Sequence, residues 1–268
     1  GCENAQNSPE ECECSPAASG CSWDVPTSTC NYINENYIIF QWGGQSLSSL
    51  PIQTTAKNVT YDLTVDLELE YIYAASWAGM TRRFKYSDQN PSWELVPLPM
   101  DNQLEVDCGN YSSDYVYNPI DPIMSGNLNS GGNHNHKGFS ILGSDEYLWV
   151  GTANGINRGT IEGDCINWYH QTTENGLSGN WVIGIEEQIT DSVERIWAIT
   201  WEKDSQGQIG PPSYSDDGGQ NWTYPSQLFQ LGVKAYNISV FENFPFSLLF
   251  KVIFFLFILC LSIYPSII

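Results

Sequence analysis

Three short segments of the chain can be laid over one another: Glu70-Tyr-Ile-Tyr-Ala-Ala75, Glu146-Tyr-Leu-Trp-Val-Gly151 and Glu194-Arg-Ile-Trp-Ala-Ile199. Each is an apolar burst with a ring at its fourth position, namely Tyr73, Trp149 and Trp197. Each is followed, through a polar turn, by a tryptophan (Trp93, Trp168 and Trp222) lying 20, 19 and 25 residues further on. A strand, a tight turn and a second strand with an anchoring indole cannot bury both faces alone. Copies of such a unit therefore have to stack to make a core.

The rest of the body has the same grain. In Tyr61 to Tyr73, Leu63, Val65, Leu67 and Leu69 alternate with Asp62, Thr64, Asp66, Glu68 and Glu70, which predicts a half-buried strand with the leucine and valine side turned inward. Shorter bursts recur at Phe139–Leu142, Tyr147–Val150, Trp181–Ile185 and Arg195–Trp201, and 23 Gly, 10 Trp and 15 Tyr beside three Met suit strands and turns better than helices. The second and third units start 48 residues apart, within the spacing of about 40 to 50 expected for propeller blades. The first and second lie 76 apart, separated by Cys108 to Lys137, a long loop or a degenerate blade. The expected fold is all-β, a β-propeller or partial propeller of three to four blades.

Two known kinds of repeat are similar to these segments. Tyr214-Ser-Asp-Asp-Gly-Gly-Gln-Asn-Trp222 resembles the Asp-box of sialidase-like and sortilin-like propellers, with Ser215, Asp217, Gly219 and Trp222 in the pattern Ser-x-Asp-x-Gly-x-x-Trp. Gly176 to Ile185 and Leu148 to Arg158 resemble the repeat of two-component-regulator propellers. Tyr86 to Trp93 is a box lacking its Gly and one residue short, and Thr160 to Trp168 is one residue long. The resemblance implies a structural box, in which Asp217 takes backbone N–H groups, Gly219 supplies a turn and Trp222 covers the blade. Trp222→Ala is expected to be costly and Ser213→Ala, just outside the box, near neutral.

Three regions are expected: a Cys-rich segment at 1–35, propeller-like repeats at 36–240 and a hydrophobic tail at 241–268. Cys2, Cys12, Cys14, Cys21 and Cys30 fall where little apolar material exists to build a core, so disulfides are preferred over zinc. Cys108 and Cys165 in the body pair with each other, or one of them takes the odd member of the five. Sequons at Asn58, Asn110, Asn221 and Asn237 agree with export, which places the chain outside the cell or on its surface. The run Phe246 to Tyr264 carries only Lys251 as a charge and is read as a membrane anchor or cleaved signal, as the end of a misread gene, or as a buried element.

With 31 acidic residues against 10 Lys and Arg the formal charge is -21, which excludes a phosphate-binding surface and hence nucleic acid as a partner. The four arginines, Arg82, Arg83, Arg158 and Arg195, are poor material for the carboxylate-holding cluster of a sialidase. Glu186 and Glu187, with Glu162, Asp164, Asp191 or Asp204, make a weak carboxylate pair in so acidic a chain. His134 and His136, with His170 or Asp145, form a metal-like set whose plainer reading is a polar loop. No cofactor motif occurs and none is expected. The expected function is a binding or scaffold module without catalysis for a protein or carbohydrate partner of cationic character. The alternatives are a sialidase-like glycoside hydrolase and a luminal assembly factor.

Overall fold

The computed structural model describes residues 37–50, 59–77, 81–119, 132–144, 147–190, 193–201, 210–231 and 235–240, with the backbone of a hairpin formed by β1 (Cys21–Asp24) and β2 (Thr29–Tyr32). The chain is mostly β, and the described residues include one five-residue helix, α1 (Ser226–Gln230). A small sheet holds β3 (Ile38–Trp42) and β4 (Gln45–Ser49), with β10 (Val116–Tyr117) added parallel to β4. Three antiparallel meanders make the body. The first is β5 (Thr60–Asp66), β6 (Tyr71–Ser76), β7 (Arg82–Lys85) and β8 (Glu94–Leu95). The second is β11 (Gly138–Gly143), β12 (Leu148–Thr152), β13 (Gly155–Glu162) and β14 (Cys165–Gln171), with β9 (Glu105–Val106) on its outer edge. The third is β15 (Trp181–Thr190), β16 (Val193–Trp201) and β17 (Ser213–Ser215).

The three meanders share one register. The first strand of each bulges at a single residue, Tyr61, Phe139 or Ile183: pairing jumps from Thr60↔Ser76 to Asp62↔Ala75, from Gly138↔Thr152 to Ser140↔Gly151, and from Val182↔Thr200 to Gly184↔Ile199. Three residues before Ser76, Thr152 and Thr200 stand Tyr73, Trp149 and Trp197, all buried. A bulge sharpens local twist, and all three sheets carry that break at the same place. Their first strands stand side by side, β5 against β11 and β11 against β15. Side chains bridge them: the Asp62 carboxylate accepts the Ile141 N–H at 3.0 Å, Thr64 Oγ1 accepts the Gly143 N–H at 3.0 Å, and Ser140 Oγ donates to the Val182 carbonyl at 3.1 Å.

Two packed layers result. Tyr73, Leu98, Tyr117, Leu148, Val150 and Ile166 belong to the larger core, which joins the first and second meanders and the small sheet. Trp149, Ile156, Val182, Ile196 and Ala198 fill the space between the second and third. The stretch from Cys108 to Lys137, expected to be a loop or a degenerate blade, is where described a wedge: Tyr111, Tyr115 and Tyr117 are buried, and a disulfide ties Cys108 to Cys165 on β14.

Four expectations are corrected. The alternating segment from Tyr61 is two strands, because Asp66 Oδ1 takes the N–H groups of Glu68 and Leu69 and Glu70 turns the chain at φ +62°. Its polar side, not its apolar side, faces inward: Asp62 and Thr64 are needed to cap the edge N–H groups of β11, so Leu63, Val65 and Leu67 are left exposed and only Leu69 packs. Trp93 anchors nothing; it is 48% exposed and lies edge-on to Phe84, whereas Trp168 and Trp222 are 2% and 6% exposed. Ser213 is buried and accepts the Ser178 N–H at 2.9 Å, so it is not a neutral position.

Candidate functional site

The Asp-box residues come together at the turn after β17. Asp217 Oδ1 accepts the N–H groups of Gln220 and Asn221, both at 2.9 Å, and its Oδ2 accepts the Asn221 amide at 2.8 Å. Ser215 Oγ donates to Asp217 and takes the Gly219 N–H at 2.8 Å. Burial works against the Asp217 charge, but the donors of Asn221, Ser215 and Gln220 outweigh it and hold the carboxyl at about 2. Gly219 has φ +77°, and a Cβ there would meet the Trp149 ring at 2.4 Å. Trp222 drops behind the turn, edge-on to Trp149, with its indole N–H on Gln171 Oε1 at 3.1 Å. The side-chain oxygens of Ser215 and Asp217 thus serve the turn, while Asp216 pairs with Arg195. The two imperfect boxes do not close this way. Gly163-Asp164 is a two-residue hairpin turn, and Ser87 turns to Glu70 instead of to Asp88.

The arginines hold the sheets together. Arg83 binds Glu94 and the Asp164 carbonyl and lies over Trp42 and Tyr71. Arg158 donates to the Gly218 carbonyl, joining the second sheet to the box turn of the third. Arg195 stacks over Tyr214 at 4.1 Å. Arg82 and Arg83 sit on opposite faces of β7, as adjacent strand residues must, so the four guanidinium groups do not converge.

The histidines diverge as well. His134 and His136 sit in a 3-10 turn after Asn133. His134 faces Asp101, whose carboxylate also takes the N–H groups of His134 and Asn135. Burial opposes the Asp101 charge, and these bonds overcome it to leave the carboxyl at about 2. His136 is buried, accepts the Asn118 N–H at Nδ1 and lies 3.1 Å from the Leu98 carbonyl through Nε2, an arrangement that assigns the proton to Nε2. Burial pulls it down to about 4, with Asp101 and the Leu98 carbonyl opposing only in part. His170 sits between the carbonyls of Gln103 and Asn154. No group of three metal-ligating side chains occurs among the described residues, and Asp145 lies outside them.

The two ends of the side-by-side first strands differ in chemistry. At their starts, Tyr61, Phe139 and Trp181 gather with Trp77, the Phe139 ring lying 5.5, 5.5 and 5.2 Å from the Tyr61, Trp181 and Trp77 rings, and buried Lys137 lies over Trp77. Toward their other ends is a cavity of about 430 Å³, lined among others by Asp66, Glu68, Tyr73, Tyr147 and Glu187. Its carboxylates come from two sheets. Sequence reasoning placed Glu187 beside a different set of acids and assigned Asp66 and Glu68 to a solvated strand face; the Asp66 turn, which brings them to the cavity wall, was the missing signal.

Of the sequons, Asn110, Asn221 and Asn237 are exposed and Asn58 lies outside the described residues. The Asn221 amide is held by Asp217. The side chains of Cys2, Cys12, Cys14, Cys21 and Cys30, and the tail from 241, also lie outside them. No family model matches the chain, and no curated protein is detectably similar to it.

Proposed function

We propose that the three meanders are consecutive blades of a β-propeller and that the chain is a binding or scaffold module, exported to the cell surface or beyond, acting without catalysis. The observation that carries the reading is the common register: one bulge in each first strand, at Tyr61, Phe139 and Ile183, and one buried ring in each second strand, at Tyr73, Trp149 and Trp197. Side-by-side first strands under such a register are what a ring of radial sheets requires.

The ligand class follows from the cavity. Asp66, Glu68 and Glu187 on its wall, in a chain of charge -21, favour a cationic group, and Tyr73 and Tyr147 add ring surface. A protein with exposed lysines or arginines satisfies this, as does a carbohydrate bearing an amine. A glycan hydrolase of the sialidase type has little to work with, because Arg83, Arg158 and Arg195 are engaged in holding sheets and turns.

The test is a panel of glycosides together with a binding series against poly-lysine at low and high salt. No turnover is expected, and saturable binding should weaken as ionic strength rises. Turnover abolished by Glu187→Gln would replace this reading with the hydrolase, and absence of binding at either salt would remove it.

A further inference from the structure

Among the described residues, nothing covers the apolar side chains of β5, the first strand of the first sheet. In the shared register Leu63, Ile72 and Ala74 correspond to Ile141, Leu148 and Val150 of the second sheet. Those three are 3%, 1% and 0% exposed, packed into the core that the first sheet shares. Ala74 is likewise buried, at 6%, but Leu63 is 57% exposed, and Tyr61 at the bulge (51%), Val65 (50%) and Leu67 in the turn after β5 (79%) are exposed with it. Leu63 and Val65 share one face of β5, and Tyr61 at the bulge and Leu67 in the turn flank them, so the four make one apolar strip. A contiguous apolar surface of this kind marks a contact region.

Two features say what covers it. Val65 and Leu67 at the end of the strip also line the cavity of Asp66, Glu68 and Glu187, so apolar surface runs directly into carboxylates. The β5 edge is not open to an added strand, since it stands against β11, with Asp62 and Thr64 bonded across to Ile141 and Gly143. The contact is therefore made by the face, not by the backbone. We infer that Tyr61, Leu63, Val65 and Leu67, with Glu68 and Asp66 at one end, form a docking surface for a basic protein partner that presents an apolar ridge with lysine or arginine beside it. This rests on the reading of the chain as a binder of cationic partners and narrows it to proteins of one surface chemistry.

The probes are a synthetic ten-residue peptide of alternating leucine and lysine and, as the charge-only control, decalysine, each titrated into the whole chain by fluorescence anisotropy. The alternating peptide should bind about tenfold more tightly than decalysine. Leu63→Ser with Val65→Ser should bring the alternating peptide down to the affinity of decalysine while leaving the thermal midpoint unchanged, because both side chains are exposed. Glu68→Gln should flatten the salt dependence for both peptides and preserve the preference. Equal binding of the two peptides, or a preference that survives the double substitution, overturns the docking surface but leaves the broader cation-binding reading standing. Binding of neither peptide overturns both. Reversible self-association of the chain that the double substitution abolishes assigns the face to a second copy and also overturns the proposal.

Discussion

Asp217 shows how much of a turn can rest on one carboxylate. It satisfies two backbone N–H groups and one amide, and Ser215 reinforces it. Gly219 and Trp222 matter for a different reason, since they fit the turn against Trp149 across the gap between sheets. Trp222→Ala should cost about 3–5 kcal/mol for the lost indole and the hole it leaves. Gly219→Ala should be destabilising too, because the residue has positive φ and its new methyl would enter the Trp149 ring. Ser213→Ala should lose about 1 kcal/mol with the hydrogen bond to the half-buried Ser178 N–H. Denaturant unfolding of the three variants checks the order; wild-type stability in Trp222→Ala would mean that the box anchors nothing. The turn bonds of Ser215 and Asp217 are local, spanning at most four residues, and so lie within reach of a sequence pattern, whereas the bond of Trp222 to Gln171 spans 51. The role of Ser213 was not legible, because its partner Ser178 is 35 residues away.

At the scale of the element, β5 shows why alternation predicts a strand but not its orientation. Period two says that one face differs from the other, and burial of the apolar side is the usual outcome. Here two polar side chains are required at the joint with β11, where Asp62 and Thr64 cap backbone donors, and that requirement decides which way the strand faces. The ring positions Tyr73, Trp149 and Trp197 were legible because they lie in the middle strands, which are covered on both sides. Trp93 was misplaced because the short turn before it lacks the glycine of the box, and β8 after it is two residues long. The wedge carrying Tyr111, Tyr115 and Tyr117 was hidden by its polar composition; its anchor is the Cys108–Cys165 bond, which spans 57 residues. Replacing both cysteines by serine should lower stability by about 4 kcal/mol on the loop-entropy account. Thermal unfolding under non-reducing conditions measures this, and an unchanged midpoint would show that the tyrosines hold the wedge unaided.

For the whole molecule, the acidic cavity could not be read from sequence because Asp66 and Glu187 lie 121 positions apart and meet only through the stacking of sheets. The same assembly sets how the protein responds to acid. His136, Asp101 and Asp217 all have folded values below their ordinary ones: about 4 against 6.5, and about 2 against 3.8 for each carboxyl. In each case the unfolded chain binds the proton more readily, so stability from the group is complete above its ordinary value and falls as the pH drops towards the folded one. The histidine acts first, between about pH 6.5 and 4, while the two carboxylates act only between about 4 and 2. Relief of repulsion in a chain of charge -21 opposes the loss, but it needs carboxylates to protonate and so comes mainly near the lower window. The midpoint of unfolding should therefore decline from pH 7 to pH 5. His136→Gln, whose amide can still accept from Asn118 and donate to Leu98, should flatten that decline from a lower starting point. Calorimetry across the range decides it: a flat wild-type profile between pH 7 and 5, or an equal slope in His136→Gln, would show that the buried imidazole does not control the acid response.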